Sequence, residues 1–118
     1  MRPLRWVVRS APVARLRQAG RPIRTEDYVE NGVYVIRADL PGVDPARDID
    51  VSVHGDTVEI KAIRRDNLKA RGAGRGHHAE IPYGLYRRVM TLPGEADGDT
   101  LTTRYRNGVL EVALPLRG

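Results

Sequence analysis

Cysteine and phenylalanine are both missing from this chain, and tryptophan occurs once, at Trp6. Without thiols there are no disulfides, no thiolate metal sites and no cysteine nucleophile, which suits a reducing compartment and makes the cytoplasm the expected location. Without phenylalanine, the interior must be filled by Val, Ile, Leu and Ala, and the first two favour strands over helices. No apolar run reaches the roughly 20 residues that a membrane-crossing helix needs, so no membrane partner is expected. Acidic residues are absent from the first 24 positions, which hold seven arginines (2, 5, 9, 15, 17, 21 and 24). The net charge of +5 is therefore +7 in that stretch and −2 in the rest, where 13 basic residues face 15 acidic ones. A length of 118 residues fits one domain able to bury about two-thirds of its unfolded surface.

The remaining positions alternate. Leu110, Val112 and Leu114 interleave with Glu111 and Ala113, and a period of two sends the first three to one face of a strand. Asn107-Gly108 accepts positive φ at little cost, so Leu101 to Arg106 and Val109 to Leu114 are expected to form a hairpin. Asn31-Gly32 predicts a second hairpin, between Ile23 to Val29 and Val33 to Leu40, ended by Pro41-Gly42. Asp44-Pro45 reads as a cap and first position of one helical turn to Asp48. Ile49, Val51 and Val53 share a face opposite Asp50, Ser52 and His54. After Gly55-Asp56, Val58, Ile60 and Ala62 repeat the pattern. Leu85 to Leu92 is the next strand, stopped by Pro93-Gly94, with Glu95 to Asp99 as a link. About seven short strands with no helical periodicity predict an all-β, immunoglobulin-like antiparallel β-sandwich spanning residues 23–116. A flexible basic arm, residues 1–22, precedes it and residues 117–118 follow. Residues 64–82 form a long loop, and a loop of that length inside a small domain is expected to be functional or mobile.

Little in the chain promises chemistry. Ser52 and His54 share a strand face but lack an acid and an oxyanion hole. His77 and His78 are adjacent, so on an extended segment they point oppositely, and no third ligand stands by. Arg71-Gly72-Ala73-Gly74-Arg75-Gly76 is not followed by the Gly-Lys-Ser/Thr of a phosphate cradle. Lys69, Arg71 and Arg75 have no interleaved aromatics on which bases would stack. No catalytic residue, metal or cofactor is expected, and nucleic acid is the weaker partner for the basic arm, which is better suited to assembly or client contact. As a targeting peptide the arm has too little serine and too much proline, and Arg5 and Arg9 break up the Trp6-Val7-Val8 cluster that a secretory signal would extend.

Four stretches together resemble the α-crystallin domain of the small heat-shock proteins. They are RADLPGVDPARDIDVSV (37–53), VEIKAIRR (58–65), YGLYRRVMTLP (83–93) and YRNGVLEVALP (105–115), in the family's order. The Arg-rich composition also resembles that of a GC-rich bacterial genome. Tyr86 and Met90 stand where the family usually has Phe, and Thr103 where Ala is common. After Leu116-Arg117-Gly118 there is no extension bearing the Ile-x-Ile pair that latches neighbouring dimers, so a homodimer or small oligomers are expected.

The resemblance implies an ATP-independent holdase that binds unfolded client proteins and prevents their aggregation. It also implies a dimer in which Gly76, His77, His78, Ala79, Glu80 and Ile81 cross to the partner's Ile23, Thr25 and Asp27, with Arg88 at the interface. Client contact is expected from Leu4, Trp6, Val7 and Val8 of the arm, and from a groove lined by Val51, Val53, Leu110 and Val112. An adaptor that docks on another chaperone, without catalysis, is the alternative.

Overall fold

The computed structural model describes residues 20–65 and 81–117. Eight strands build two four-stranded sheets: β1 (Arg21–Pro22), β2 (Thr25–Glu30), β3 (Val33–Asp39), β4 (Ile49–His54), β5 (Thr57–Arg64), β6 (Gly84–Thr91), β7 (Thr102–Arg106) and β8 (Val109–Pro115). One sheet has the order β1-β6-β5-β4 and the other β2-β3-β8-β7. Every pairing is antiparallel except the short β1–β6 contact, which is parallel.

Both Asn-Gly pairs make the hairpin turns that their chemistry predicts. Asn31 and Gly32 have φ of 52° and 76°, and Asn107 and Gly108 have 54° and 78°, the doubly positive geometry whose twist matches that of the flanking strands. Gly108 meets a second demand, because a Cβ there would lie 3.2 Å from the Cα of Pro41. The hairpin tip thus packs on the Leu40-Pro41-Gly42 corner, and Leu40 N donates to Gly108 O at 2.8 Å. Helix α1 (Pro45–Asp48) begins at Asp44, whose carboxylate accepts from Ala46 N at 3.1 Å.

The alternating residues meet between the sheets. Ile36, Val112, Leu110 and Leu114 from one sheet, with Val51, Val58 and Ile60 from the other, are 0% exposed. In register, Ile36 lies opposite Val112, and Val51 opposite Ile60. Each such aliphatic side chain contributes about 1.5 to 3 kcal/mol by leaving water.

Three expectations are corrected here. The single first strand, Ile23 to Val29, is two strands in different sheets: Ile23, 1% exposed, drops into the core at the crossing, and Arg24 O then accepts from Asp39 N at 2.9 Å. Among the described residues the strands therefore number eight, the first beginning at Arg21 rather than at residue 23. Ser52, expected on a solvated face, is only 8% exposed although it points away from the core, opposite Glu59.

Candidate interaction surfaces

The foot of the long loop is built by two consecutive arginines at the end of β5. The Arg64 guanidinium donates to Pro41 O at 3.1 Å and to Ile81 O at 2.7 Å, and lies 4.7 Å from the centre of the Tyr83 ring. It therefore ties together the corner after β3, the chain entering the loop and the chain leaving it. Arg65 turns the other way and grips Asp48 through both carboxylate oxygens, at 3.0 to 3.1 Å. That carboxylate is shielded, 3% exposed, and the hydrogen bonds from Arg65 hold its pKa below the usual value against the opposing effect of burial. Beside this foot, Pro22, Leu40, Pro41, Val43, Ile81 and Tyr86 line a mainly apolar cleft. Tyr86, the residue standing for a usual Phe, finds the partner its hydroxyl needs by donating to Pro82 O.

A second tyrosine pins the opposite end of the same corner. The Tyr105 hydroxyl donates to Leu40 O at 2.7 Å and lies 3.4 Å from Val43 N, across 65 and 62 residues of sequence. Met90, with Tyr86 and Tyr105, packs against the core as a partly buried side chain, and Thr103 is buried at 2% exposure.

Among the described residues strand β2 is a sheet edge, ordered next to β3 only. Thr25 is half-buried on it, Asp27 is exposed and accepts from the Tyr34 hydroxyl at 2.6 Å. Burial and that hydrogen bond together raise the Tyr34 pKa. Of the expected dimer-contact residues, Ile81 is 41% exposed at the loop foot and Arg88 is exposed, with its Nη1 3.5 Å from Ile23 O. Ile23 does not belong with them as a side chain, since the crossing between sheets buries it. Gly76, His77, His78, Ala79 and Glu80 lie outside the described residues, as do Leu4, Trp6, Val7 and Val8.

The expected client groove is also corrected. Val51, Leu110 and Val112 are 0% and Val53 8% exposed, because they are the facing rows that close the sandwich. A client reaching them would have to pry the sheets apart. Exposed apolar surface sits elsewhere, at Tyr28, Val29, Ile63, Ile81, Leu85 and Val89, which are 37% to 57% exposed. Ile63, Leu85 and Val89 carried a signal in the sequence, since each breaks the two-residue alternation of its strand by being apolar in the outward phase. That phase also holds Arg87 and Glu59, paired at 2.6 Å with side chains only 8% and 5% exposed. No sequence rule marks these two as shielded.

Among the described residues no group of three or more His, Cys, Asp or Glu is placed to hold a metal ion. No helix among them is long and apolar enough to cross a membrane.

This geometry has known counterparts. The chain matches the Hsp20/alpha crystallin family over residues 26–117. It is 37% identical over 94 residues to the alpha-crystallin of Mycobacterium tuberculosis, an alignment covering 80% of this chain and 62% of that protein. The chain thus spans less than two-thirds of that relative's length. A small heat-shock protein from Xylella fastidiosa superposes with a TM-score of 0.69 at 33% identity, covering 81% of this chain and 86% of that one. The hspA of Xanthomonas axonopodis gives 0.70 at 34%, covering 84% and 97%. The two-sheet fold is thus that of a known domain, and the chain belongs to the Hsp20/alpha-crystallin family, the small heat-shock proteins.

Proposed function

We propose that the protein is an ATP-independent holdase, which binds unfolding polypeptides through apolar surface and keeps them from aggregating. The observation that carries this reading is the set of large apolar side chains left open around a closed core, among them Val29, Ile63, Leu85 and Val89 at 39% to 57% exposure. A side chain exposed to that degree still offers about 1 kcal/mol on complete burial. Ordering a disordered client consumes much of the sum. Binding is therefore weak per contact and indifferent to sequence, which suits a protein that must meet many clients. Family membership supports the same reading, since small heat-shock proteins are a chaperone family and not an enzyme class.

The working form is a dimer in which residues 76–81 of one chain pair with the partner's β2. The edge position of β2 among the described residues supports this, because unpaired strand edges are satisfied by strand addition. The Arg64 bridge supports it too, because it sets where the chain leaves and re-enters the sandwich.

The test is thermal aggregation of a model client with no nucleotide present. Suppressed light scattering at near-stoichiometric ratios is expected, and the same preparation should scatter as a dimer at micromolar concentration. Undiminished client aggregation beside a folded protein would refute the holdase reading.

A further inference from the structure

We propose that the outward face of the β2-β3-β8-β7 sheet holds a binding site for a small phosphate anion, formed by Arg37, Arg104, Arg106 and Asn107 at its β7 end. This goes beyond the holdase reading and does not depend on it. Strand register puts the three arginines on one side. Thr103, Leu110 and Val112 are buried, so Arg104, Arg106 and Glu111 point outward, and Arg37 joins them as the register partner of Glu111. Arg104 and Arg106 are two residues apart along β7, about 7 Å. Arg37 is two strands from Arg104, about 10 Å. Long guanidinium side chains can meet over the ground between such positions. That ground is a cleft of about 290 Å³ lined by Arg37, Arg104, Arg106, Asn107, Val109 and Glu111.

The charge in this cleft is unbalanced. Three guanidiniums share one carboxylate, Glu111, which leaves a surplus of two positive charges. Among the described residues neither Arg104 nor Arg106 forms an ion pair or a side-chain hydrogen bond. Arg37 lies 3.8 Å from Glu111 and 3.6 Å from Glu26, both longer than a hydrogen bond, so its N–H groups can still donate to a ligand. Glu26 and Asp39 line an adjoining cleft beyond Arg37, where Arg24 stands with them. The rim is also held in place. Asn107 sits at φ 54° in the hairpin turn, Gly108 O accepts from Leu40 N at 2.8 Å, and the Tyr105 hydroxyl donates to Leu40 O at 2.7 Å. A ligand therefore meets a backbone already ordered, and binding gives up less entropy.

Guanidinium groups recognise carboxylate and phosphate alike, so the choice between them rests on charge and shape. A carboxylate brings one charge and two oxygens, and Glu111 already supplies that. A phosphate group offers acceptor oxygens to donors arriving from several sides, and as a dianion it matches the surplus of two. The cleft is far larger than the roughly 30 Å³ share of one water, which leaves room for two linked phosphates. A flat anionic membrane would have to face Glu26 and Asp39 as well, so the geometry favours a small soluble phosphate compound over a lipid head group. Arg104 and Arg106 are exposed and the Arg37 side chain is 41% exposed, so affinity is expected to be modest and to fall with added salt.

Inorganic pyrophosphate is the probe, measured by equilibrium dialysis against the full-length protein at low salt. The arginines before residue 25 attract anions too, so paired variants separate the two places. Arg104→Gln with Arg106→Gln is expected to weaken binding at least about tenfold, and Glu111→Gln to strengthen it about threefold. Arg5→Gln with Arg9→Gln removes the same charge elsewhere and is expected to change affinity less than about twofold. Far-UV circular dichroism shows that each variant is folded, and the gain expected from Glu111→Gln cannot arise from misfolding. No binding at millimolar pyrophosphate, equal losses from the two arginine pairs, or an affinity indifferent to Glu111→Gln would each overturn the proposal. Phosphatidylcholine vesicles with and without phosphatidic acid form the second arm. Co-sedimentation that needs phosphatidic acid together with Arg104 and Arg106, without pyrophosphate binding, would overturn the soluble ligand and give the site to a lipid.

Discussion

The two sheets share a core but turn different faces outward. On the β2-β3-β8-β7 sheet the outward row reads Glu26, Arg37, Glu111, Arg104 across four strands, charges alternating in sign. Its ion pairs are long and wet: Arg37 lies 3.6 Å from Glu26 and 3.8 Å from Glu111, with the Arg37 side chain 41% exposed. On the β1-β6-β5-β4 sheet the pair Arg87–Glu59 is short and shielded; Leu85 and Val89 flank Arg87 along β6, and Lys61 and Ser52 stand opposite the pair. The first face is finished by water. The second has left water partway, and a charge placed there depends on its partner.

That contrast can be broken by mutation. Glu59→Ala removes the carboxylate 2.6 Å from a nearly buried guanidinium. It is expected to cost about 3 kcal/mol, because one charge of a shielded pair is left behind. Urea unfolding measures this, and replacing Arg87 with Met as well should recover most of the loss.

Asp48→Asn comes next, at the edge of the same sheet. It costs less, since Arg65 is 45% exposed and water screens the pair. The pKa of Asp48 is depressed in the folded protein, so its stabilisation is full above the unfolded value of 3.8 and fades as pH falls through the folded value. The stability gap between wild type and Asp48→Asn should therefore be largest near neutral pH and shrink in acid below about pH 4, as urea midpoints at pH 7 and pH 3 would show. A gap that stays constant would mean that the asparagine disturbs packing and not charge.

Glu111→Ala, on the solvated face, should change stability least, by about 0.5 kcal/mol or less. Half-molar salt should erase the difference. If Glu111→Ala proved as costly as Glu59→Ala, the distinction between the two faces would be lost.

How much of this was legible follows from what each residue depends on. The turns at Asn31-Gly32 and Asn107-Gly108 were readable because positive φ is a local property of those residue types. So were the inward rows of β3, β4, β5 and β8, because a period of two is enough to assign a face. The first strand was misread because Ile23 and Val29 lie six residues apart, in phase as one strand would have them, whereas the chain changes sheets after Pro22. Val51, Val53, Leu110 and Val112 were offered to clients because alternation tells which residues share a face but not whether another sheet covers it. Arg64 and Tyr105 gave no signal at all, since their partners Pro41, Leu40 and Ile81 are distant in sequence.

By itself the amino-acid order determined the hairpins, the inward-facing rows, the short helix after Asp44 and the uneven distribution of charge. These rest on backbone preference and strand periodicity, which act over a few residues. Only the tertiary structure decided which rows face each other, which apolar residues remain open and which of many arginines is hidden. Burial and ion pairing depend on neighbours in space, and here those neighbours are supplied by strands as far apart in sequence as Ile23 and Arg88.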